Sequence, residues 1–66
     1  MFMEEEMWLA RDEDGELSMY ENKPFKDKRA KQWTLGGDWV FLPENWFPEV
    51  QWSDDEPTKV KLVIEK

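Results

Sequence analysis

Two short segments near the start of the chain alternate apolar and polar positions on either side of an acidic loop. Residues 7–11 read Met-Trp-Leu-Ala-Arg, residues 16–20 read Glu-Leu-Ser-Met-Tyr, and the loop between them ends at Gly15. A period of two is typical of a β-strand with one buried face. Gly15 can adopt the positive φ that such a hairpin loop requires. The pattern therefore predicts a β-hairpin over residues 7–20.

The charges beside this loop indicate the register of the hairpin. Opposing Arg11 to Glu16 makes an attractive cross-strand pair and places Trp8 beside Met19 on one face. A shift by one residue opposes Asp12 to Glu16, and like charges directly across a strand pair are destabilising. We therefore expect the first register.

Residues 32–42 contain a second alternating pattern, interrupted by two glycines and an aspartate. A turn centred on Gly37 and Asp38 pairs Leu35 with Val40 and makes one face of the hairpin wholly apolar. A turn one residue earlier opposes Leu35 to Asp38, so the apolar side chain of Leu35 has a charged residue as its cross-strand neighbour. Since burial rewards a consistent face, we expect a second hairpin with the Gly37–Asp38 turn.

The end of the chain carries the most regular alternation, over residues 58–65, with Val60, Leu62 and Ile64 on the inward face. Residues 43–48 begin and end with proline, which excludes a central strand and favours one short helical turn. We expect Trp46 and Phe47, within that turn, to close the core.

These elements predict an all-β fold: a small antiparallel sheet curled on itself, or an open barrel, with one short helical turn. The alternative is an α+β fold in which residues 25–32 form a helix, because lysine, arginine and alanine favour helices. The whole chain, residues 1–66, is expected to form a single domain, with residues 1–6 either included in it or disordered.

The net charge of −7 is unevenly distributed. Residues 23–31 carry five basic side chains and one acidic one, so the rest of the chain is strongly acidic. An acidic molecule is repelled by nucleic acids and by anionic membranes. No apolar stretch is long enough to span a bilayer. The chain has no cysteine, so nothing in the sequence points to an oxidising compartment. We expect a soluble, cytoplasmic protein with no membrane partner, and the net charge disfavours a nucleic-acid partner.

Residue types exclude most catalytic chemistry. The chain has no histidine and no cysteine, so it has no imidazole base and no thiolate. A calcium-loop pattern that includes Asp12, Asp14 and Glu21 has Ala10 at its first ligand position and strand-like flanks. An acidic hairpin tip explains those residues better. We predict no enzymatic activity, no cofactor and no metal.

Aromatic residues are the most unusual feature, with five tryptophans, four phenylalanines and one tyrosine in 66 residues. Most are expected in the core, because large rings close a small core efficiently. The register expected for the second hairpin leaves a few of these rings on outer faces, where they could bind a protein partner beside the basic loop. The candidate interaction surface comprises Tyr20, Trp39, Phe41, Lys26, Lys28, Arg29 and Lys31.

The sequence thus predicts a non-catalytic protein-interaction module, and a monomer more readily than a dimer. An alternative function is binding of a carbohydrate or a single-stranded nucleic acid on exposed rings. A third is a structural or oligomeric role for the last strand as a sheet edge, although Lys59 and Lys61 are the kind of residue that protects an edge from pairing.

Three segments together resemble a known group of sequences. They are residues 8–12 leading into an Asp-Gly turn, residues 20–24, and residues 47–52 followed by acids and Pro57. In order and spacing they resemble very short, uncharacterised proteins encoded by gut anaerobes and by their phages or prophages. The resemblance covers most of the chain outside residues 25–40. It implies a phage or mobile-element origin and transfers no functional residue.

Overall fold

A computed structural model describes the backbone of residues 2–65 and the side chains of residues 5–63. That part of the chain contains strands and turns but no helix. The strands are β1 (Phe2–Arg11), β2 (Leu17–Tyr20), β3 (Phe25–Asp27), β4 (Gln32–Thr34), β5 (Trp39–Leu42) and β6 (Thr58–Glu65). The all-β prediction is confirmed, and the alternative with a helix over residues 25–32 is wrong.

The strands form two antiparallel sheets. The larger sheet has the order β5-β2-β1-β6 and does not close into a barrel, and the smaller one pairs β3 with β4. Strand β6 has the predicted bounds, and it pairs with the full N-terminal part of β1. Residues 2–6, for which the sequence left disorder open, are therefore part of the sheet.

The first hairpin forms, but its predicted register is wrong. Arg11 lies opposite Leu17, and the backbone N–H of Asp12 donates to the carbonyl of Glu16 at 2.9 Å. The observed register places Leu9 and Leu17 on the same face, where both are only 1% exposed. Burial of two leucines in one core outweighs an exposed cross-strand charge pair.

The second predicted hairpin does not form. Strand β4 pairs with β3 and β5 pairs with β2, so in the described part of the chain Leu35 has no cross-strand partner and is 75% exposed. A tight turn joins β3 to β4, in which the carboxylate of Asp27 accepts the backbone N–H groups of Arg29 and Ala30, both at 3.0 Å. This local capping stabilises a turn where lysine and arginine propensity had favoured a helix.

The larger sheet is covered on both faces near its centre. On one face, Leu9, Leu17 and Val50 form a buried cluster. On the other, Ala10, Tyr20 and Trp33 form a second cluster. Each cluster takes alternate residues of β1 and β2, as the two-residue period of a strand requires. Loop residues and the β3–β4 hairpin supply the covering side chains.

Residues 43–48 form turns with no helix, and Trp46 and Phe47 are exposed. The prediction that these two rings close the core is therefore wrong. Val50 contributes the buried apolar side chain of this part of the chain. On β6, Val60 packs against the first cluster but Leu62 is exposed, so the inward face of that strand is only partly buried. The side chain of Ile64 lies outside the described residues.

Candidate interaction surface

Trp39 and Phe41 form an exposed aromatic pair on β5. Their ring centroids are 4.5 Å apart at an interplanar angle of 69°. Trp39 is 49% and Phe41 60% exposed. The two residues lie opposite Tyr20 and Ser18 of β2, so they occupy the sheet face that also carries the Trp33 cluster. The predicted exposure of both rings is present in the structure, and their role in binding stays a prediction.

Tyr20 was predicted to be exposed and is instead buried, at 5% exposure. Its hydroxyl donates to the carbonyl of Trp33 at 3.4 Å, and burial raises the pKa of the phenol above its usual value. The backbone of Gly36 lies so close to the ring that a Cβ there would be 2.5 Å from Cδ2 of Tyr20. Tyr20 is thus part of the second core cluster and lies opposite Trp39 on the neighbouring strand.

A groove of about 220 Å³ runs between the aromatic pair and residues 32–37. Its lining side chains combine exposed apolar groups with two carboxylates. Among the lining residues are Asp12, Glu16, Tyr20, Leu35, Trp39 and Phe41. No lysine or arginine lines the groove within the described part of the chain. The groove is therefore a mixed surface, in which exposed aromatic and aliphatic side chains lie beside polar groups and two carboxylates.

Lys26, predicted to belong to the interaction surface, has a structural role. Its ammonium donates to the carbonyls of Trp52 and Asp54, the latter at 2.8 Å. It also lies 4.4 Å from the ring centroid of Trp52 and 5.7 Å from that of Trp33, distances at which a cation attracts an aromatic face. Lys26 fastens the loop over residues 51–54 to β3, and its part in binding stays a prediction.

The other predicted basic residues lie on the turn between β3 and β4. Lys28, Arg29 and Lys31 are exposed there, and Lys31 is 3.7 Å from a carboxylate oxygen of Glu13. Among the residues described, none of these three lines the groove beside Trp39. The sequence placed the basic turn and the aromatic pair in one candidate surface. In the structure, the basic turn lies outside the groove beside Trp39.

Three carboxylates gather at the tip of the first hairpin. Asp12, Asp14 and Glu16 have oxygen atoms within 4.8 Å of one another. The neighbouring carboxylate of Asp14 is the main cause that raises the pKa of Glu16, and burial raises the pKa of Asp12. Asp12 also accepts the backbone N–H of Trp33 at 2.9 Å, and Asp14 accepts that of Glu16 at 3.0 Å. The two aspartates thus stabilise the local fold, and Asp12 and Glu16 give the groove its negative charge.

Sequence reasoning missed the anchoring role of Arg11. Its guanidinium donates to five backbone carbonyls, at distances from 2.7 to 3.3 Å. The acceptors are Gly15, Glu44, Trp46, Phe47 and Val50. All five N–H donors of the arginine side chain are thus used: four bonds hold residues 44–50 against the hairpin, and one binds the hairpin's own loop at Gly15. The sequence carries no signal for this arrangement, because the acceptors are carbonyls and not side chains.

Comparisons with known proteins provide no relative: no protein-family model matches the chain, and no curated protein or solved structure matches it. Residues 2–65 include no helix that is long and apolar enough to cross a membrane.

Proposed function

We propose that this protein is a small, non-catalytic module that binds a protein partner through the exposed rings of Trp39 and Phe41. The observation that carries the proposal is the pairing of these two rings on one strand, 49% and 60% exposed, beside a groove. Tryptophan and other aromatic residues supply much of the binding energy at protein interfaces when they are buried by a partner.

The distribution of exposed apolar residues supports this location. Trp39 and Phe41 are exposed on one face of β5, and the exposed side chain of Leu35 lines the same groove. Single exposed apolar residues are ordinary, whereas a contiguous group indicates an interaction site. Trp46 and Phe47 form a second, looser pair with centroids 6.4 Å apart, but their backbone carbonyls are already bound by Arg11.

A cytoplasmic location and a phage or mobile-element origin belong to the same proposal. The absence of cysteine from the sequence supports the first. The resemblance of residues 8–12, 20–24 and 47–52 to short phage-linked proteins supports the second. Neither affects the choice of surface.

Matched tryptophan variants test the proposal. Trp39→Ala is expected to stay folded and to lose a partner that the wild-type protein captures. Trp46→Ala is the control, because its ring is equally exposed at 51% but lies outside the groove. Thermal unfolding establishes that each variant is folded, and quantitative capture measures partner loss. Equal retention by both variants contradicts the proposal, and unfolding of Trp39→Ala would show that this ring stabilises the core.

Titration with oligosaccharides and short oligonucleotides tests the alternative function. Stacking of a sugar or a base on Trp39 would shift the resonances of both exposed rings. The carboxylates of Asp12 and Glu16 in the groove oppose a nucleic acid. Specific shifts with an oligosaccharide, together with no protein partner, would replace the proposed function by sugar binding.

A further inference from the structure

Strand β5 has an open backbone edge. It lies at the end of the sheet order and pairs with β2 alone. The N–H of Glu21 donates to the carbonyl of Asp38 at 3.0 Å, next to the ladder. Backbone groups of successive residues in a strand point to opposite sides. Those of Val40 and Leu42 therefore point toward β2, like those of Asp38, and those of Trp39 and Phe41 point outward.

These outward groups are available to a partner strand. Within the described residues, no hydrogen bond joins the N–H or C=O of Trp39 or Phe41 to another segment. The side chains of Trp39, Val40 and Phe41 are exposed as well. An edge strand with open backbone groups and apolar side chains is a template for an added strand.

The two edges of the larger sheet differ in their protection. Strand β6 carries Lys59 and Lys61, and charged side chains on an edge discourage pairing with other chains. Strand β5 consists of four apolar residues and has no charge. Proteins usually protect an edge of this kind, so an unprotected one is consistent with a binding role.

Carboxylates lie beside both faces of β5. Asp12 and Glu16 line the groove on the side of the aromatic pair. On the opposite face, a shallow depression beside Val40 is lined by Glu5, Glu21 and Asp38. In the described part of the chain, neither recess is lined by a basic side chain. In a partner strand that alternates apolar and basic residues, the apolar side chains face the two rings and the basic ones face Glu5, Glu21 and Asp38.

We propose that β5 binds an extended, basic segment of the partner by strand addition, in which basic and apolar residues alternate. The inference rests on the proposed function and specifies its mode. The partner backbone pairs with Trp39 and Phe41, and its apolar side chains pack on the two rings. Its basic side chains, on the other face, meet the carboxylates beside Val40. A second copy of this chain is disfavoured, since two molecules of charge −7 would bring the same carboxylates together.

The probe is a short, end-blocked peptide that alternates lysine and valine, titrated into the 66-residue protein by NMR and calorimetry. We expect amide shifts centred on residues 39–41. The same peptide with N-methylated valines keeps its side chains and charge but lacks half of its N–H donors. We expect it to bind about tenfold more weakly, because its missing N–H groups can no longer donate to the outward carbonyls of Trp39 and Phe41. A peptide alternating glutamate and valine should bind more weakly still.

Two lysine variants provide a matched control on the protein side. Val40→Lys places a positive charge on β5, and Val63→Lys places one on β6 at an equally exposed position, 52% against 53%. Val40→Lys is expected to weaken the binding of the lysine–valine peptide severalfold, whereas Val63→Lys is expected to leave the affinity unchanged.

The outcomes separate this inference from the proposed function. Equal affinity of the N-methylated peptide overturns strand addition, and so does no binding of the unmethylated peptide at millimolar concentration. The proposed function still stands if Trp39→Ala loses the captured partner while Trp46→Ala keeps it. Sedimentation showing a dimer that Val40→Lys dissociates would also overturn the inference, because the occupant of β5 would then be a second copy.

Discussion

Arg11 donates its Nε–H to the carbonyl of Val50 at 2.7 Å, joining two residues that are 39 positions apart in the chain. Four further donors of the same guanidinium bind carbonyls of Gly15, Glu44, Trp46 and Phe47. One side chain thus fixes the hairpin loop and the segment that carries Val50 into the first core cluster. In a chain without disulfides, this anchor takes the place of a covalent link.

Substitution of Arg11 tests this anchor. Arg11→Met removes all five donors, and we expect a loss of about 2–4 kcal/mol in the free energy of unfolding. Arg11→Lys keeps the charge but offers three donors on a compact head group, so an intermediate loss is expected. Arg29→Met, on the exposed β3–β4 turn, is the control and should change stability by less than about 0.5 kcal/mol. Urea denaturation measures all three. Equal stability of Arg11→Met and Arg29→Met would show that the anchor contributes nothing.

The anchor also explains why the sequence predicted the strands of the first hairpin but not their register. Residue alternation located β2, β6 and the second half of β1, because a strand period is a local property. The register was chosen from an Arg11–Glu16 charge pair, which is worth little at a surface. In the structure the arginine binds distant carbonyls, and Leu9 packs with Leu17. Those contacts depend on residues 44–50 and cannot be read from residues 7–20.

The prediction of the strand that pairs with β5 was wrong for a similar reason. Neighbouring apolar segments favoured a hairpin between residues 32–35 and 39–42, but Trp33 is needed in the second core cluster. Its indole N–H donates to the carbonyl of Arg11 at 3.0 Å, and its backbone N–H binds Asp12. Strand β4 is thereby held over the first hairpin, and β5 pairs with β2. The exposure of Trp39 and Phe41 was thus predicted from a hairpin that does not exist.

Lys26 provides a second prediction. It was assigned to the interaction surface, whereas the structure binds its ammonium to the carbonyls of Trp52 and Asp54. Lys26→Met should lower the free energy of unfolding by about 1–3 kcal/mol, through lost charge-assisted hydrogen bonds and cation–π contacts. Lys28→Met, on the exposed turn, is the matched control and should be neutral. Urea denaturation decides between the two roles. If the Lys26→Met variant were fully stable but no longer bound the partner, Lys26 would belong to the interaction surface.

Gly36 provides a third prediction, because of its contact with Tyr20. A Cβ at this position would meet the Cγ and Cδ2 atoms of Tyr20 at 2.8 and 2.5 Å. The ring is enclosed in the second cluster and cannot easily move away, so Gly36→Ala should cost about 1–3 kcal/mol of stability. Tyr20→Ala vacates most of that space. In a double-mutant cycle followed by thermal unfolding, the two losses should therefore sum to more than that of the double variant. Additive losses would show that the residues do not contact each other.

The acidic tip of the hairpin makes stability depend on pH. The pKa of Glu16 is raised above 4.5 in the folded chain, chiefly by the carboxylate of Asp14. The folded chain then binds the Glu16 proton more tightly than the unfolded chain. Ionisation of Glu16 therefore costs stability as the pH rises through the raised pKa, and this cost is absent below 4.5. Glu16→Gln should be more stable than the wild type at pH 7 and equal to it near pH 3.

The control for this effect is Glu49→Gln, which removes one exposed carboxylate away from the tip. Both variants lose the same charge, so a general relief of self-repulsion would stabilise them equally. Repulsion at the tip stabilises Glu16→Gln alone, and only above the pH at which the wild-type carboxyl ionises. Urea denaturation of the three proteins at several values between pH 3 and pH 7 distinguishes the two. If the gain from Glu16→Gln were the same at both ends of this range, the interaction with Asp14 would not be its cause.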